Sequence, residues 1–229
     1  MRAIVFDFFG TLTDPGAEAG RRASFTGAAA ALGVPAESFC REMGASFPER
    51  IVGRYGGTRA TLRAIAGRCG AAPTDEELDA AVAAQLAGAE LVRPPRPGVL
   101  DLLDRLRADG FRLGLISDCS SELCESWPST PYAPRIDAAV FSWHEGCRKP
   151  DPRLYAAVSA RLGVSPADCW YVGDGGSREH DGARRAGMRP VLVSNAGYPG
   201  ADAYRSDPDP YRPDLVIADL DDLPALIVS

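Results

Sequence analysis

Lysine is almost missing from this 229-residue chain: of 25 basic residues, every one except Lys149 is arginine. A composition that elsewhere selects guanidinium keeps an ammonium only in the run Arg148, Lys149, Pro150, Asp151, Pro152. An ammonium is a compact point charge on a flexible stem, whereas a guanidinium is a wide planar fork. A tight polar pocket beside carboxylates therefore accepts the first and not the second, and Lys149 reads as a site residue. Blocks of basic charge are lacking too. The arginines are scattered and the net charge is −6 with a pI near 5.0, which argues against a nucleic-acid surface and favours small-molecule chemistry. Paired cysteine spacing is also missing. Cys40, Cys69, Cys119, Cys124, Cys147 and Cys169 form no CxxC pair, so zinc ribbons and disulfide frameworks lack support and free, mostly buried thiols are expected. Long apolar runs are absent at the start of the chain. The stretch Met1 to Phe6 stops at Asp7, too short for a signal peptide or a membrane span, and predicts a cytoplasmic protein without a membrane partner.

Short apolar runs bounded by turn residues recur at Ala3 to Phe6, Leu113 to Ile116, Ala138 to Phe141, Trp170 to Val172, Val191 to Val193 and Leu215 to Ile217. Such runs read as buried parallel strands. Helical periodicity lies between them at Val99 to Arg107, Pro152 to Leu162 and Arg178 to Ala186. The alternation predicts an α/β fold with a Rossmann-like, doubly wound parallel sheet. From about Pro15 to Arg93 the pattern changes. Alanine-rich helices are expected at Ala23 to Leu32, Thr58 to Cys69 and Asp75 to Ala87, the last opened by a Thr74/Glu77 capping box, and no strand is convincing. Pro94, Pro95 and Pro97 mark the return. The expected division is a core of residues 1–14 and 94–229 and an all-helical insert of residues 15–93. The Pro-rich stretch Tyr198 to Pro213 reads as a surface loop.

Ligands of an open parallel sheet bind beyond the carboxyl ends of its strands. The first strand runs into Asp7, Phe8, Phe9, Gly10, Thr11, Leu12, Thr13, Asp14; the second into Ser117 and Asp118. The third leads on to Lys149, and the fourth delivers Gly173, Asp174, Gly175, Gly176, Ser177, Arg178, Glu179. Four strand ends thus converge on carboxylates, a hydroxyl and an ammonium. These motifs, DFFGTLTD, LISD, RKPDP and VGDGGSRE, resemble in order those of the haloacid dehalogenase superfamily, and the helical insert stands where that superfamily carries an α-helical cap.

The resemblance implies that Asp7 is a nucleophile forming a covalent acyl-type intermediate. It also implies that Gly10 and Thr11 make a tight turn whose backbone donors cradle an anion. Ser117 would donate to a phosphoryl oxygen, with Asp118 beside it at the substrate, and Lys149 would neutralise charge on Asp7 and substrate. Asp7, Asp174 and the Phe9 carbonyl would hold Mg²⁺. Glu179 would act from behind, orienting a metal-bound water or Lys149.

One residue departs from the pattern. Phosphate-transferring members of the superfamily carry a second aspartate two residues after the nucleophile, as acid and base; this chain has Phe9. Loss of such a group typically costs about 10² to 10⁴ in rate. Three readings follow. The first is a phosphatase for a small phosphorylated substrate, with a good leaving group or a proton donor recruited from the cap. The second is a 2-haloacid dehalogenase, since halide needs no proton and dehalogenases of the family carry an aromatic residue here. Those enzymes lack the metal ligand, with serine and asparagine at the positions of Asp174 and Gly176. The third is a weakly catalytic relative that binds a phosphorylated ligand. In the cap, Arg21, Arg22, Arg50, Arg54, Tyr55 and Arg59 are candidates to reach a ligand, and Arg41 is the candidate for a haloacid anion. Arg54 is singled out because Gly53, Gly56 and Gly57 place it in what reads as a flexible loop, Ile51 to Thr58.

Overall fold

The computed structural model describes residues 2–205 and 207–227. Strand β1 (Ala3–Phe6) is followed by five helices, α1 (Thr26–Ala31), α2 (Ala36–Ala45), α3 (Phe47–Arg50), α4 (Thr58–Arg68) and α5 (Asp75–Glu90). The α/β alternation then begins with α6 (Val99–Ala108), β2 (Arg112–Ser117), α7 (Ser121–Ser126), β3 (Ala138–Phe141), α8 (Ser142–Glu145) and α9 (Pro152–Leu162). It closes with β4 (Cys169–Gly173), α10 (Glu179–Arg185), β5 (Arg189–Val193), β6 (Leu215–Ile217) and α11 (Leu223–Ile227). The six strands form one parallel sheet in the order β3-β2-β1-β4-β5-β6.

Every residue of β1 is buried because successive side chains feed opposite cores. Ile4 and Phe6 join Leu102, Leu103 and Leu223 of α6 and α11 on one face. Ala3 and Val5 join Leu154, Tyr155 and Val158 of α9 on the other. A sheet covered on both faces explains the continuous apolar runs. Each large aliphatic side chain buried this way contributes about 1.5–3 kcal/mol. Spacing on the second face is set at Gly114 of β2. A Cβ there would stand 2.8 Å from Val158 Cγ2, 3.0 Å from Leu162 Cδ1 and 3.3 Å from Val5 Cγ2, so α9 rests directly on the strand.

The helices between β1 and α6 have their own core, in which Phe39, Met43, Leu62, Ile65 and Leu78 are wholly buried. Helix α5 starts on the expected capping box: Glu77 N donates to Thr74 Oγ1 at 3.2 Å and Thr74 N to Glu77 Oε2 at 2.7 Å. The two chain segments that join these helices to the sheet run side by side. Asp14 N donates to Pro94 O at 2.9 Å, Arg96 N to Leu12 O at 3.0 Å, and Thr13 bridges Pro95.

The segment Ile51 to Thr58 is not the flexible loop its glycines suggested. It is a run of turns docked on the sheet layer, where Trp143 Nε1 donates to Gly56 O at 3.1 Å and Thr58 N to Glu125 Oε1 at 2.9 Å. The Pro-rich stretch carries a short 3-10 turn, Ala201–Tyr204, and returns to the strand ends. His144 sits in α8 against the rings of Phe141 and Trp143.

Candidate active site

At the carboxyl end of β1, the chain turns sharply: Thr11 N, Leu12 N and Thr13 N all donate to Phe8 O, at 3.3, 2.9 and 3.1 Å. This turn projects Asp7 toward β4 and leaves it buried. Thr11 Oγ1 donates to Asp7 Oδ2 at 3.1 Å, and Lys149 Nζ donates to Asp7 Oδ1 at 2.5 Å. Both carboxylate oxygens are therefore held from within the protein.

Lys149 is 3 % exposed. Its ammonium also donates to Glu179 Oε2 at 2.7 Å, and its backbone N donates to Asp118 Oδ1 at 3.0 Å. Burial disfavours the charge, but Asp7, Glu179 and Asp118 hold the lysine pKa well above its ordinary value, so it stays an ammonium. Glu179 is saturated. Besides Lys149, Tyr171 O–H donates to Oε2 at 3.0 Å and Gly175 N to Oε1 at 2.9 Å. Burial pushes this carboxyl up, yet Lys149 and His180 outweigh it and its pKa lies below the usual range.

Asp174 follows β4. Its carboxyl is pushed up to about 6, first by burial and then by the charge of Glu179. Gly176 N donates to Asp174 Oδ1 at 3.1 Å and Arg205 Nε to Oδ2 at 3.2 Å. Oxygens of Asp7, Asp174 and Glu179 lie within 4.8 Å of one another. Asp7 is likewise raised well above the carboxylate range by burial and by its two acidic neighbours, against the pull of Lys149. Three buried carboxylates with one ammonium form a set of hard donors that a small hard cation fits. The turn after β1 leaves room beside Asp174 because Gly10 has φ +71 and no side chain; a Cβ there would stand 2.9 Å from Asp174 Oδ2. Asp7 and Asp174 line the cavity and Glu179 does not, so these two are the side chains within reach of a metal there.

Above these groups lies a cavity of about 370 Å³. Its floor includes Asp7, Phe9, Gly10, Asp118, Lys149 and Asp174. Its roof comes from the helical segment, with Arg21, Phe25, Met43, Arg50, Gln85 and Arg93. Ser117 lies just outside this lining, buried, its Oγ without a hydrogen-bond partner. Asp118 has one oxygen on Lys149 N and the other without a partner; burial raises its pKa. Cys119 also lines the cavity. Burial, then neighbouring Cys124 with its sulfur 3.9 Å away, pushes the Cys119 thiol well above its ordinary pKa, so it stays an inert thiol.

Three expectations need correction. Arg54 is absent from the cavity lining: its side chain is 71 % exposed and lies 3.9 Å from Glu49. The docking of residues 51–58 turns it to solvent, and Arg50, one turn earlier, is the arginine that faces inward. Arg50 is buried and donates to Ser120 Oγ at 3.1 Å and Met43 O at 2.9 Å. The backbone donors of Gly10 and Thr11 do not face a ligand either. Gly10 N is taken by Thr13 Oγ1 at 2.9 Å and Thr11 N leans on Phe8 O, because the turn closes on itself. Arg41 is also exposed and outside this lining.

Three residues escaped sequence reading. Arg96 is buried and donates to the carbonyls of Thr11 and Gly10, at 3.0 and 2.9 Å, and to Asp219 and Asn195. Asn195 Nδ2 joins it on Gly10 O at 2.9 Å. Arg205 reaches Asp174 from the Pro-rich stretch. Only Arg96 had a local signal, its place between Pro95 and Pro97 where the chain rejoins the core.

The chain belongs to the haloacid dehalogenase-like hydrolases, whose family model matches residues 1–187. Among curated relatives, a glyceraldehyde 3-phosphate phosphatase of Methanopyrus kandleri is 31 % identical over 144 residues, 62 % of this chain and 62 % of that protein. The chain thus spans about three fifths of that relative's length. A 2-haloacid dehalogenase structure from Pseudomonas syringae pv. Tomato DC3000 superposes with TM-score 0.71 at 26 % identity, covering 100 % of this chain and 98 % of the other. A HAD phosphatase from Thermococcus onnurineus shares the fold with TM-score 0.68 at 19 % identity, covering 99 % and 98 %. Among the described residues, no helix is long and apolar enough to cross a membrane.

Proposed function

We propose that this protein is a Mg²⁺-dependent phosphatase of a small phosphorylated metabolite, acting through an aspartyl-phosphate at Asp7, with residues 15–93 as the cap that closes over the substrate. The observation that carries this reading is the buried carboxylate set around Asp174 beside Asp7. A halide-releasing site gains nothing from that set, because three carboxylates repel a haloacid anion. A phosphate dianion with a bound cation is complementary to it. When bound, Mg²⁺ supplies charge neutralisation for the transferring phosphoryl group; Asp7, Asp174 and the Phe9 carbonyl would hold it.

The protein's own groups supply the rest. Lys149 and Thr11 fix the plane of the Asp7 carboxylate, so attack on phosphorus starts from an oriented nucleophile. Lys149 stays charged throughout and offsets the negative charge gathering on Asp7 and the phosphoryl oxygens. Glu179 holds that ammonium in place. The Ser117 hydroxyl, lacking a partner, is the donor for a phosphoryl oxygen. The cap wall excludes bulk water and limits the substrate to what about 370 Å³ admits.

The test is hydrolysis of p-nitrophenyl phosphate with and without Mg²⁺, with Asp7→Asn purified in parallel. Metal-dependent turnover that falls by at least about 10³-fold in Asp7→Asn is expected, since an amide cannot serve as the nucleophile. Undiminished turnover in that variant removes the mechanism. Chloride release from 2-chloropropionate without phosphatase activity replaces it with the dehalogenase reading, which the 26 % identical dehalogenase and the aromatic Phe9 favour.

A further inference from the structure

Phe9 removes the expected proton donor, and among the described residues the roof of the cavity supplies no uncommitted carboxylic acid. In-line displacement by Asp7 sends the leaving oxygen away from the floor and toward that roof. Two carboxylates, Glu18 and Glu122, line this side, and both are committed. Glu18 accepts from Arg21 through both oxygens, at 2.8 and 2.7 Å. Glu122 Oε1 accepts from Gln85 at 3.1 Å, and Ser120 bonds its Oε2. What the roof offers instead is cations: Arg21, Arg50 and Arg93.

These three arginines differ in how they are spent. Arg50 is tied at all three nitrogens, to Ser46, Ser120 and Met43. Arg93 is pinned through Nη1 to Glu90 and Ser126, with its buried Nε left without a partner. Arg21 is held by Glu18 and lies over the ring of Phe9, its guanidinium carbon 4.8 Å from the ring centroid. The face of an aromatic ring attracts a cation, so Phe9 and Glu18 together seat the Arg21 guanidinium over the turn after β1, as an ion pair with Glu18. A carboxylate at position 9 would offer a proton; phenylalanine offers a platform for a guanidinium.

We infer that Arg21 is a catalytic residue that stabilises the departing oxygen as an anion, so that the leaving group departs without being protonated. This inference rests on the phosphatase reading above. In the first step the Asp7 oxygen forms a bond to phosphorus, the bond from phosphorus to the leaving oxygen breaks, and its electron pair stays on that oxygen beside Arg21. The released anion takes a proton from solvent. In the second step water adds to phosphorus, the Asp7–phosphorus bond breaks with its electron pair on the Asp7 oxygen, and the water's protons leave on inorganic phosphate, which equilibrates with solvent, so that the free carboxylate is restored. A guanidinium remains protonated at any physiological pH, so it acts by charge alone. The substrate class follows: phosphates of acidic leaving groups, namely acyl, enol or aryl phosphates and phosphoanhydrides, in preference to simple alkyl esters.

The experiment compares kcat/KM across aryl phosphates whose phenols run from strongly acidic (2,4-dinitrophenol) to weakly acidic (phenol), for the unaltered protein, Arg21→Gln and Arg21→Lys. For Arg21→Gln the loss is expected to grow along the series, reaching about 10²–10³-fold for phenyl phosphate, the scale of one electrostatic stabiliser removed. Arg21→Lys restores part of it. The unaltered protein is expected to show a solvent deuterium isotope effect near unity on phenyl phosphate. An equal loss on every ester, or no loss, overturns the inference while leaving the phosphatase reading intact. No hydrolysis of 2,4-dinitrophenyl phosphate by the unaltered protein overturns both. Thermal unfolding of the variants separates a misfolded protein from an altered site, and Glu18→Gln, which unseats Arg21 without removing its charge, is expected to steepen the same series.

Discussion

Lys149 sits where a wider head group cannot. Its ammonium fills the gap between Asp7 Oδ1 and Glu179 Oε2, 2.5 and 2.7 Å away, with 3 % of the residue exposed. Lys149→Arg keeps the charge and changes the shape, so kcat should fall about 10–100-fold with Mg²⁺ present, read in the p-nitrophenyl phosphate assay. That residue was legible because composition isolates it. Arg50 was not: nothing separates it from Arg54 in the chain until Thr58 and Gly56 are seen bonded to Glu125 and Trp143, which decides which of the two faces inward. His180 makes a prediction about stability. Burial pushes its imidazole below the ordinary histidine value, against Glu179 and Asp209, and its buried Nδ1 has no partner. The unfolded chain takes up this proton near pH 6.5 and the folded one only at lower pH. The unfolded state therefore binds more protons below about pH 6.5, and the His180 contribution to stability is lost as pH falls through that window. His180→Gln should lose less Tm between pH 7.5 and 5.5 than the unaltered protein.

At the scale of elements, the strands and the capping box of α5 could be read from local pattern because each depends on near neighbours. The turn after β1 could not. Its shape is imposed by Arg96 and Asn195, 86 and 185 residues along the chain from Gly10, whose carbonyl accepts from both. The expectation that Gly10 and Thr11 offer free N–H groups failed for the same reason: the turn spends them on Thr13 and Phe8 while its carbonyls are clamped from outside. Arg96→Met should cost about 1–3 kcal/mol, because it leaves the buried Asn195 Oδ1 and the Thr11 carbonyl without the guanidinium that donates to them. Urea denaturation measures that loss. Arg205 was illegible on similar grounds, since a proline-rich stretch says that the backbone bends and not what its side chains meet.

On the scale of the whole molecule, the parallel sheet brings four sequence-distant strand ends to one edge, where Asp7, Lys149 and Asp174 line one cavity and Ser117 lies buried just outside it. The helical segment is tied to that edge by polar pairs from Thr58 and Gln85 to α7 and from Arg50 to Ser120, the residue that caps it, a set no spacing rule predicts. A subtler dependence runs through Gly114. Helix α9 begins at Pro152, three residues after Lys149, and lies on β2 where that glycine has no side chain. Gly114→Ala would meet Val158 at 2.8 Å and Leu162 at 3.0 Å, so α9 must ride outward, at a cost of about 1–3 kcal/mol in stability. The expected signature is a kcat loss larger than the Tm change suggests, measured on the folded variant. The bare strand face at Gly114 thus works as a shim under the far end of a lever: one methyl group of added thickness, out of reach of any substrate, detunes the ammonium at the tip.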